Sequence, residues 1–397
     1  MKLRHGLVAT WAFAALAVSS ACAGQGSEPG TSEPGAEPGS PTATASRMPV
    51  DRQALLDRER ELYGSLGALA MVRDGDEQWA GVSGAADLQD NEIERTTRFR
   101  VGSVTKPIVA TLVLGALAHG EVSLDEIVSD LLPGVLRADP PITVRMLLDH
   151  TSGVFDYGNE GAVADIDQLP DPAMRSEARS LARRYADGEP VIAPDRLLVA
   201  LAETHDRYFE PGSGYHYSNI NYQLAGMVLE DVTRTSLADL LHGRIAEPLG
   251  LKATTLAPAD TRSPDMRGYV PGPREGMFVD VTDDLIAFGN GGNGGVISTG
   301  DELLTIMQAI VSGRILPPDL VAAMLKMTTQ SNSTYGLGLA KYDLSCGTFY
   351  GHEGRVNGTA SIAIADTDGS RGVVIAFNLM SDTDPGLVAL ADGLLCR

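Results

Sequence analysis

The chain has 397 residues, with 52 acidic against 31 basic side chains, a net charge of −21, and 43% hydrophobic residues. That charge repels a polyanion, and no basic run interleaved with aromatics occurs, so a nucleic-acid role is excluded. Length suits two structural units or one unit of two lobes, and the apolar content suffices for a sizeable core.

The first residues read as an export signal. Lys2, Arg4 and His5 precede the apolar run Leu7–Val18, and small residues lead to Cys22 in VSSACAG. The run is too short to span a bilayer. Cys22 admits two readings. A small residue before a cysteine resembles a bacterial lipoprotein box, in which Cys22 is lipidated and anchors the chain, although Ser19 stands where a leucine is usual. The other is cleavage after Ala23 at an Ala21-Cys22-Ala23 site. Signal residues are thus 1–22. Residues 23–50 repeat Glu-Pro-Gly three times with almost nothing apolar, so they form a disordered tether. The expected location is secreted or on the cell surface. In such an oxidising compartment the two remaining cysteines, Cys346 and Cys396, are expected to pair as a disulfide.

The remainder, 51–397, begins with a helical pattern over Arg52–Leu66. Strand-like runs follow at Gly67–Arg73 and Glu77–Ser83, with Asp74-Gly75 as the hairpin turn. Helical spacing then dominates: Pro107–His119, Val144–Leu148, Arg196–Glu203, Asn221–Thr233, Leu237–Ala246, Leu303–Val311 and Pro318–Met327. Strand patterns return at Tyr335–Leu344, Thr348–His352, Ala360–Asp366 and Gly372–Asn378, before a last helix over Pro385–Leu395. Strands at both ends around a helical middle predict an α+β fold. An antiparallel sheet is built from both termini and flanked by helices, a helical lobe is inserted, and a cleft lies at the junction.

Three short motifs bear on chemistry. Ser103 and Lys106, three apart at the start of the Pro107 helix, lie on one helix face, so hydroxyl and amine can meet. A neutral lysine can activate a serine, and a helix N-terminus favours a developing oxyanion. Tyr217 and Asn219 follow a turn-rich stretch, where Tyr217 can relay a proton and Asn219 can hold Lys106 and a substrate carbonyl. His352-Glu353-Gly354 ends a strand, where Gly354 lets a substrate lie on the strand edge. The next residue, Arg355, offers an N–H to an oxyanion. A zinc reading of His352-Glu353 fails for want of a second histidine at ligand spacing, and no metal or cofactor is implied. Gly289–Gly295 lacks the Gly-Lys-Ser/Thr ending of a phosphate loop and reads as a structural turn. His150 reads as part of a stabilising turn, and His216 as an exposed loop residue.

Taken in order, Ser-x-x-Lys, Tyr-x-Asn and His-x-Gly resemble the serine β-lactamase and penicillin-recognising superfamily. The nearest branch is that of D-alanyl-D-alanine carboxypeptidases, class C β-lactamases and esterases. Phe99–Lys106, Leu147–Gly153, Tyr217–Tyr222 and Gly351–Gly354 carry the likeness, and the stretch with Phe155-Asp156-Tyr157 is similar to actinobacterial DD-peptidases. The resemblance implies an acyl-enzyme at Ser103, with Lys106 as base, Tyr217 in proton transfer and Asn219 on the substrate amide. His352 takes the place other members fill with Lys or His, and the amides of Ser103 and Arg355 form the oxyanion hole. The implied substrate is a peptidoglycan peptide, with β-lactam or a small ester as alternatives; a non-catalytic penicillin- or peptidoglycan-binding module is the rival of a different class. A monomer is expected. One departure stands out: Glu353 occupies a position where peptidases often carry a small hydroxyl residue that binds the substrate's terminal carboxylate. Period-2 alternation puts Arg355 on the same face as Glu353, where it could neutralise Glu353 or bind the substrate carboxylate itself.

Overall fold

Both ends of the described chain contribute to one sheet. The computed structural model describes residues 51–396 except 157–162, 188, 190–191, 257–263, 275, 284–290 and 357. The expected signal with Cys22, the linker, Tyr157, and Gly289 and Asn290 of the glycine-rich stretch lie outside the described residues.

Helix α1 (Arg52–Tyr63) starts at Asp51, whose carboxylate accepts from the Ala54 N–H, and stops at Gly64 in the left-handed region with φ 75°. Strands β1 (Gly67–Asp74) and β2 (Glu77–Gly84) form the expected hairpin. The C-terminal part supplies β3 (Ala340–Leu344), β4 (Gly347–Val356), β5 (Thr359–Ala365) and β6 (Arg371–Phe377). The order is β2-β1-β6-β5-β4-β3, every pair antiparallel. The first and last parts of the chain meet where β1 pairs β6, with Ala68 opposite Phe377.

Each face of the sheet has its own cover. On one, Leu56 of α1 and Leu390 and Leu394 of the C-terminal Leu387–Leu395 helix bury Val72, Ile362 and Ile375. On the other, Leu69, Ala363 and Val374 share a core with helix α2 (Thr105–Ala118) and with the helical middle of the chain. Nearly every residue of α2 is buried, so it is the axis that joins sheet to helical region. Helix α3 (Asn219–Thr233) packs beside it. Among the described residues no helix is long and apolar enough to cross a membrane.

The expected boundaries differ at four informative places. The strand expected from Tyr335 begins only at Ala340. Gly338, at φ 83°, brings the preceding turn against α2, where an added Cβ would lie 2.5 Å from the Ala110 side chain and 2.9 Å from the Tyr222 hydroxyl. Strand β4 instead runs past His352 to Val356. Pro172–Ala186 is a helix with no counterpart in the sequence reading, because only Met174, Ala178 and Leu181 carry its apolar stripe among many charges. The pattern over Leu237–Ala246 divides into an α-helical turn, Leu237–Leu241, and a π-helical turn, His242–Ala246.

Cys346 and Cys396 are bonded, with Cα atoms 5.2 Å apart across a sequence separation of 50. The bond ties the β3–β4 turn to the end of the last helix. Closing a loop of that length stabilises by about 4 kcal/mol in the chain-entropy treatment. Replacing both cysteines by serine is therefore expected to lower the guanidinium unfolding midpoint clearly; an unchanged midpoint would refute this account of the bond.

Candidate active site

The nucleophile turn is held from two sides. Phe99 and Arg100 pair with Ser298 and Ile297, which delivers the chain into a 3-10 turn, Gly102–Val104, that runs straight into α2. Gly102 has φ 56°, and a Cβ there would sit 2.8 Å from the Arg355 backbone nitrogen. A Cβ on Gly354 would lie 2.1 Å from the Val101 carbonyl oxygen. Two glycines thus let the turn bearing Ser103 press against β4, and the Ser361 hydroxyl donates to the Val101 carbonyl at 3.0 Å to fix it. Gly354 serves this approach of the turn, a tighter demand than the substrate clearance expected of it. Strand β3 pairs with β4 only as far as Gly351, so from His352 onward β4 keeps β5 along one edge while the nucleophile turn packs on the face that carries Gly354. This brings the Arg355 backbone beside the turn that carries Ser103, as a two-amide oxyanion hole requires.

Lys106 is fully buried. Its Nζ is 2.9 Å from Ser103 Oγ, 2.8 Å from Asn219 Oδ1 and 2.9 Å from the Asn293 carbonyl oxygen. Burial pulls its pKa down to about 7, against the pull of the Asp156 charge in the other direction. A neutral amine keeps two N–H donors for Asn219 and Asn293, and its lone pair faces the Ser103 hydroxyl. That is the state a general base needs.

Asn219 opens α3, and its amide is committed at both ends. The oxygen accepts from Lys106, while the nitrogen donates to the buried Asp156 carboxylate at 3.2 Å. Asp156 also accepts from the Asn219 backbone N–H at 3.1 Å. In this structure Asn219 thus links Lys106 to Asp156.

Tyr217 stands on the other side of the amine, its ring centroid 4.8 Å from Lys106 Nζ and its hydroxyl hydrogen-bonded to Ser103. Burial pushes the phenol well above its usual range, so it stays protonated and passes a proton rather than holding a charge. His150 packs against it at 4.3 Å between centroids. The His150 Nδ1 accepts from the Ser218 N–H at 3.2 Å, and burial holds the ring well below the usual imidazole range. Its place is beneath the tyrosines, supporting them. His216 is stacked on Tyr208 at 3.7 Å, more enclosed than an exposed loop histidine.

His352 is buried and neutral. Its Nδ1 bonds the Glu353 carbonyl, and its Nε2 accepts from the Tyr335 hydroxyl at 3.0 Å. Burial, helped by the nearby Lys106 charge, brings its pKa down to about 3. Tyr335 in turn meets Tyr222, whose hydroxyl donates to the Leu148 carbonyl at 2.8 Å. Glu353 is half-buried, and burial raises its pKa against the opposing Arg355 charge. Arg355 is exposed and lies 4.0 Å from Asp384.

Three contributors escaped the sequence reading. Asn293 acts through its backbone carbonyl, which any residue has. Its turn, Gly291–Asn293, reaches α3 because a Cβ on Gly292 would sit 2.2 Å from the Tyr222 carbonyl oxygen. Asp156 was visible only within a family-like phrase. Tyr335 opens a strand-like pattern and carries no other sign of its place in the site. Among the described residues no group of three or more potential metal ligands is found.

The family model named Beta-lactamase matches residues 53–394. The chain belongs to the beta-lactamase family. Beta-lactamase-family relatives include esterase EstB of Burkholderia gladioli, 34% identical over 203 residues, covering 49% of this chain and 47% of the esterase. A D-aminopeptidase of Cereibacter sphaeroides is 27% identical over 350 residues, covering 83% of this chain and 61% of that protein. The chain thus spans about half to three-fifths of the length of the curated relatives it matches. Among solved structures, a D-stereospecific amidohydrolase from Streptomyces sp. superposes with TM-score 0.70 at 34% identity, covering 86% of this chain and 97% of that one. A penicillin-binding protein from Bacillus halodurans, at 21% identity and TM-score 0.67, shares the fold over 87% of this chain and 98% of its own.

Two predictions rest on this geometry. Because Lys106 must be neutral to take the Ser103 proton, the acylation rate is expected to fall as pH drops through about 7 and to level off above it. A pH profile of acylation by a chromogenic ester checks this, and a flat profile from pH 5 to 9 would remove Lys106 from the role of base. Gly102→Ala forces a strained φ and a clash with Arg355, so acylation should fall by about 100-fold, the order seen on losing an oxyanion donor. Thermal unfolding of the variant distinguishes a displaced turn from a lost fold.

Proposed function

We propose that this chain is an exported serine hydrolase that cleaves amides through an acyl-enzyme at Ser103, with a D-configured residue supplying the acyl group. The observation that carries it is the buried Lys106 amine, with a pKa of about 7, directly on the Ser103 hydroxyl. A binding module has no use for a lysine made neutral at that cost.

Ser103 Oγ attacks the substrate carbonyl carbon and its proton passes to Lys106. The carbonyl oxygen becomes an oxyanion between the amides of Ser103 and Arg355. As the C–N bond breaks, the leaving amine takes a proton relayed from Lys106 through Tyr217, leaving an ester on Ser103. Water then adds to that ester with the same groups acting in reverse. The products are a carboxylic acid and free Ser103. His352, neutral and held by Tyr335, adds a polar wall without a competing cation.

The D-configuration is supported by the D-aminopeptidases and the D-stereospecific amidohydrolase among the relatives. Cleavage of D-Ala-D-Ala in peptidoglycan peptides belongs to the same chemistry. Export rests on the signal pattern in residues 1–22, with Cys22 as the lipid anchor to the outer face of the membrane and residues 23–50 as the tether.

Intact-mass analysis after mixing with D-amino acid p-nitroanilides, an activated ester and a fluorescent penicillin tests the reading. An adduct on Ser103 in the wild type is expected, none in Ser103→Ala, and loss of labelling in a folded Lys106→Ala. Turnover of the D-enantiomer should exceed that of the L-enantiomer at least about tenfold, a difference of about 1.4 kcal/mol in transition-state binding. No adduct with any of the three reagents would overturn the hydrolase reading, and equal rates on both enantiomers would overturn the D-preference.

A further inference from the structure

The Asn219 amide can turn either end toward Lys106, and only one end leaves the base able to work. With the oxygen inward, as here, the amine donates one N–H to Asn219 Oδ1 and another to the Asn293 carbonyl, and its lone pair is left for the Ser103 hydroxyl. Turned over, the amide would point an N–H at Lys106. That donor would occupy the lone pair of the neutral amine, and Ser103 would lose the acceptor for its proton. The two orientations have almost the same shape, so packing alone does not choose between them.

Asp156 makes the choice. It is fully buried; its Oδ2 accepts from Asn219 Nδ2 at 3.2 Å and its Oδ1 from the Asn219 backbone N–H at 3.1 Å. An ionised carboxylate offers acceptors only, so an amide oxygen cannot face it. The carboxylate is itself held in place. The Asp156 N–H donates to the Tyr208 hydroxyl at 3.1 Å, and Tyr208 stacks on His216, whose Nδ1 donates to the Tyr217 carbonyl at 3.1 Å. We propose that Asp156 is a positioning residue for acylation: it locks the Asn219 amide with its oxygen on Lys106 and so keeps the lone pair of the base for Ser103. This rests on the acyl-transfer reading of Ser103 and adds a residue outside its three motifs. Around Lys106 burial holds the phenols of Tyr217 and Tyr222 protonated and the imidazoles of His150 and His352 neutral, so Asp156 supplies the charge that acts on the amine.

The test is the rate of Ser103 acylation by p-nitrophenyl acetate, in variants whose fold is checked by near-ultraviolet circular dichroism. Asp156→Asn is almost isosteric. With its oxygen kept on the Asn219 backbone N–H, it turns an amide NH2 toward Asn219 Nδ2, and two facing donors drive the Asn219 amide over. Acylation should then fall by about 100-fold, the lower end of what a positioned base contributes. Asp156→Ala leaves the amide free to turn and should cost about tenfold at most, since one molecule in about ten in the working orientation keeps that much activity. Its acid limb should move below the wild-type value of about 7, because the charge that favours the ammonium is gone. A space-filling role predicts the reverse order, with alanine the worse. Exchanging the two side chains, Asp156→Asn with Asn219→Asp, restores an acceptor toward Lys106 and keeps a donor facing an acceptor across the pair. The exchange should recover at least about tenfold over Asp156→Asn. Its acid limb should lie above 7, because the carboxylate now touches the ammonium directly. Should Asp156→Asn fail to fold, the exchange and Asp156→Ala carry the same test through their limbs. Wild-type rates in Asp156→Asn, alanine worse than asparagine, or limbs that stay at about 7 in both the exchange and Asp156→Ala would each overturn the lock while wild-type Ser103 is still labelled. If no reagent forms a Ser103 adduct in the wild type, the lock and the hydrolase reading fall together.

Discussion

The site depends on keeping one amine out of water. Burying an ammonium is costly, and a lysine answers by giving up its proton. Lys106 does so near neutral pH because it is buried, and its surroundings suit a neutral amine: Asn219 and Asn293 accept its two N–H groups while the Ser103 hydroxyl can donate to its lone pair. Asp156 tempers the shift: its charge favours the protonated lysine and so eases proton uptake when Ser103 attacks. Without the Asp156 charge the lysine pKa would lie lower still. Asn219 separates the two groups and passes a moderated influence between them.

That balance explains why distant pieces of chain converge here. The amine rises from the first turn of α2, Asn219 from the first turn of α3, and the Asn293 carbonyl from a glycine-rich turn pressed onto α3. Main chains around the amine pack more closely than side chains would permit, at Gly102, Gly354 and Gly292. Each of these glycines removes a Cβ that would hold two backbones apart. The sheet matters in the same way, since β4 needs β5 behind it to stay straight where the nucleophile turn leans on it.

The sequence was most informative where side-chain identity itself does the chemistry. Ser103, Lys106, Tyr217 and His352 stood out by spacing and order, and the alternation of strands around a helical middle was legible from periodicity. What stayed hidden was chemistry done by backbone or by contact. The Asn293 carbonyl has no residue signature, and a buried aspartate such as Asp156 looks like any loop acid until its partner is known. Tyr335 read as part of a strand because its flanking residues alternate suitably, whereas packing against α2 and Tyr222 bends that segment into a turn. The Pro172–Ala186 helix was missed because three small or flexible apolar residues among charges make a weak stripe.

The charge pattern around the reacting centre has one more consequence. A lysine in place of His352 would put a permanent cation close to Lys106 and the reacting centre. Here the imidazole is buried with a pKa of about 3, its Nδ1 tied to a carbonyl and its Nε2 accepting from Tyr335, so it carries no charge at any pH where Lys106 works as a base. Glu353, next along the strand, is negative or, when protonated, merely neutral. The third motif therefore supplies shape and a backbone amide but no attraction for an anion.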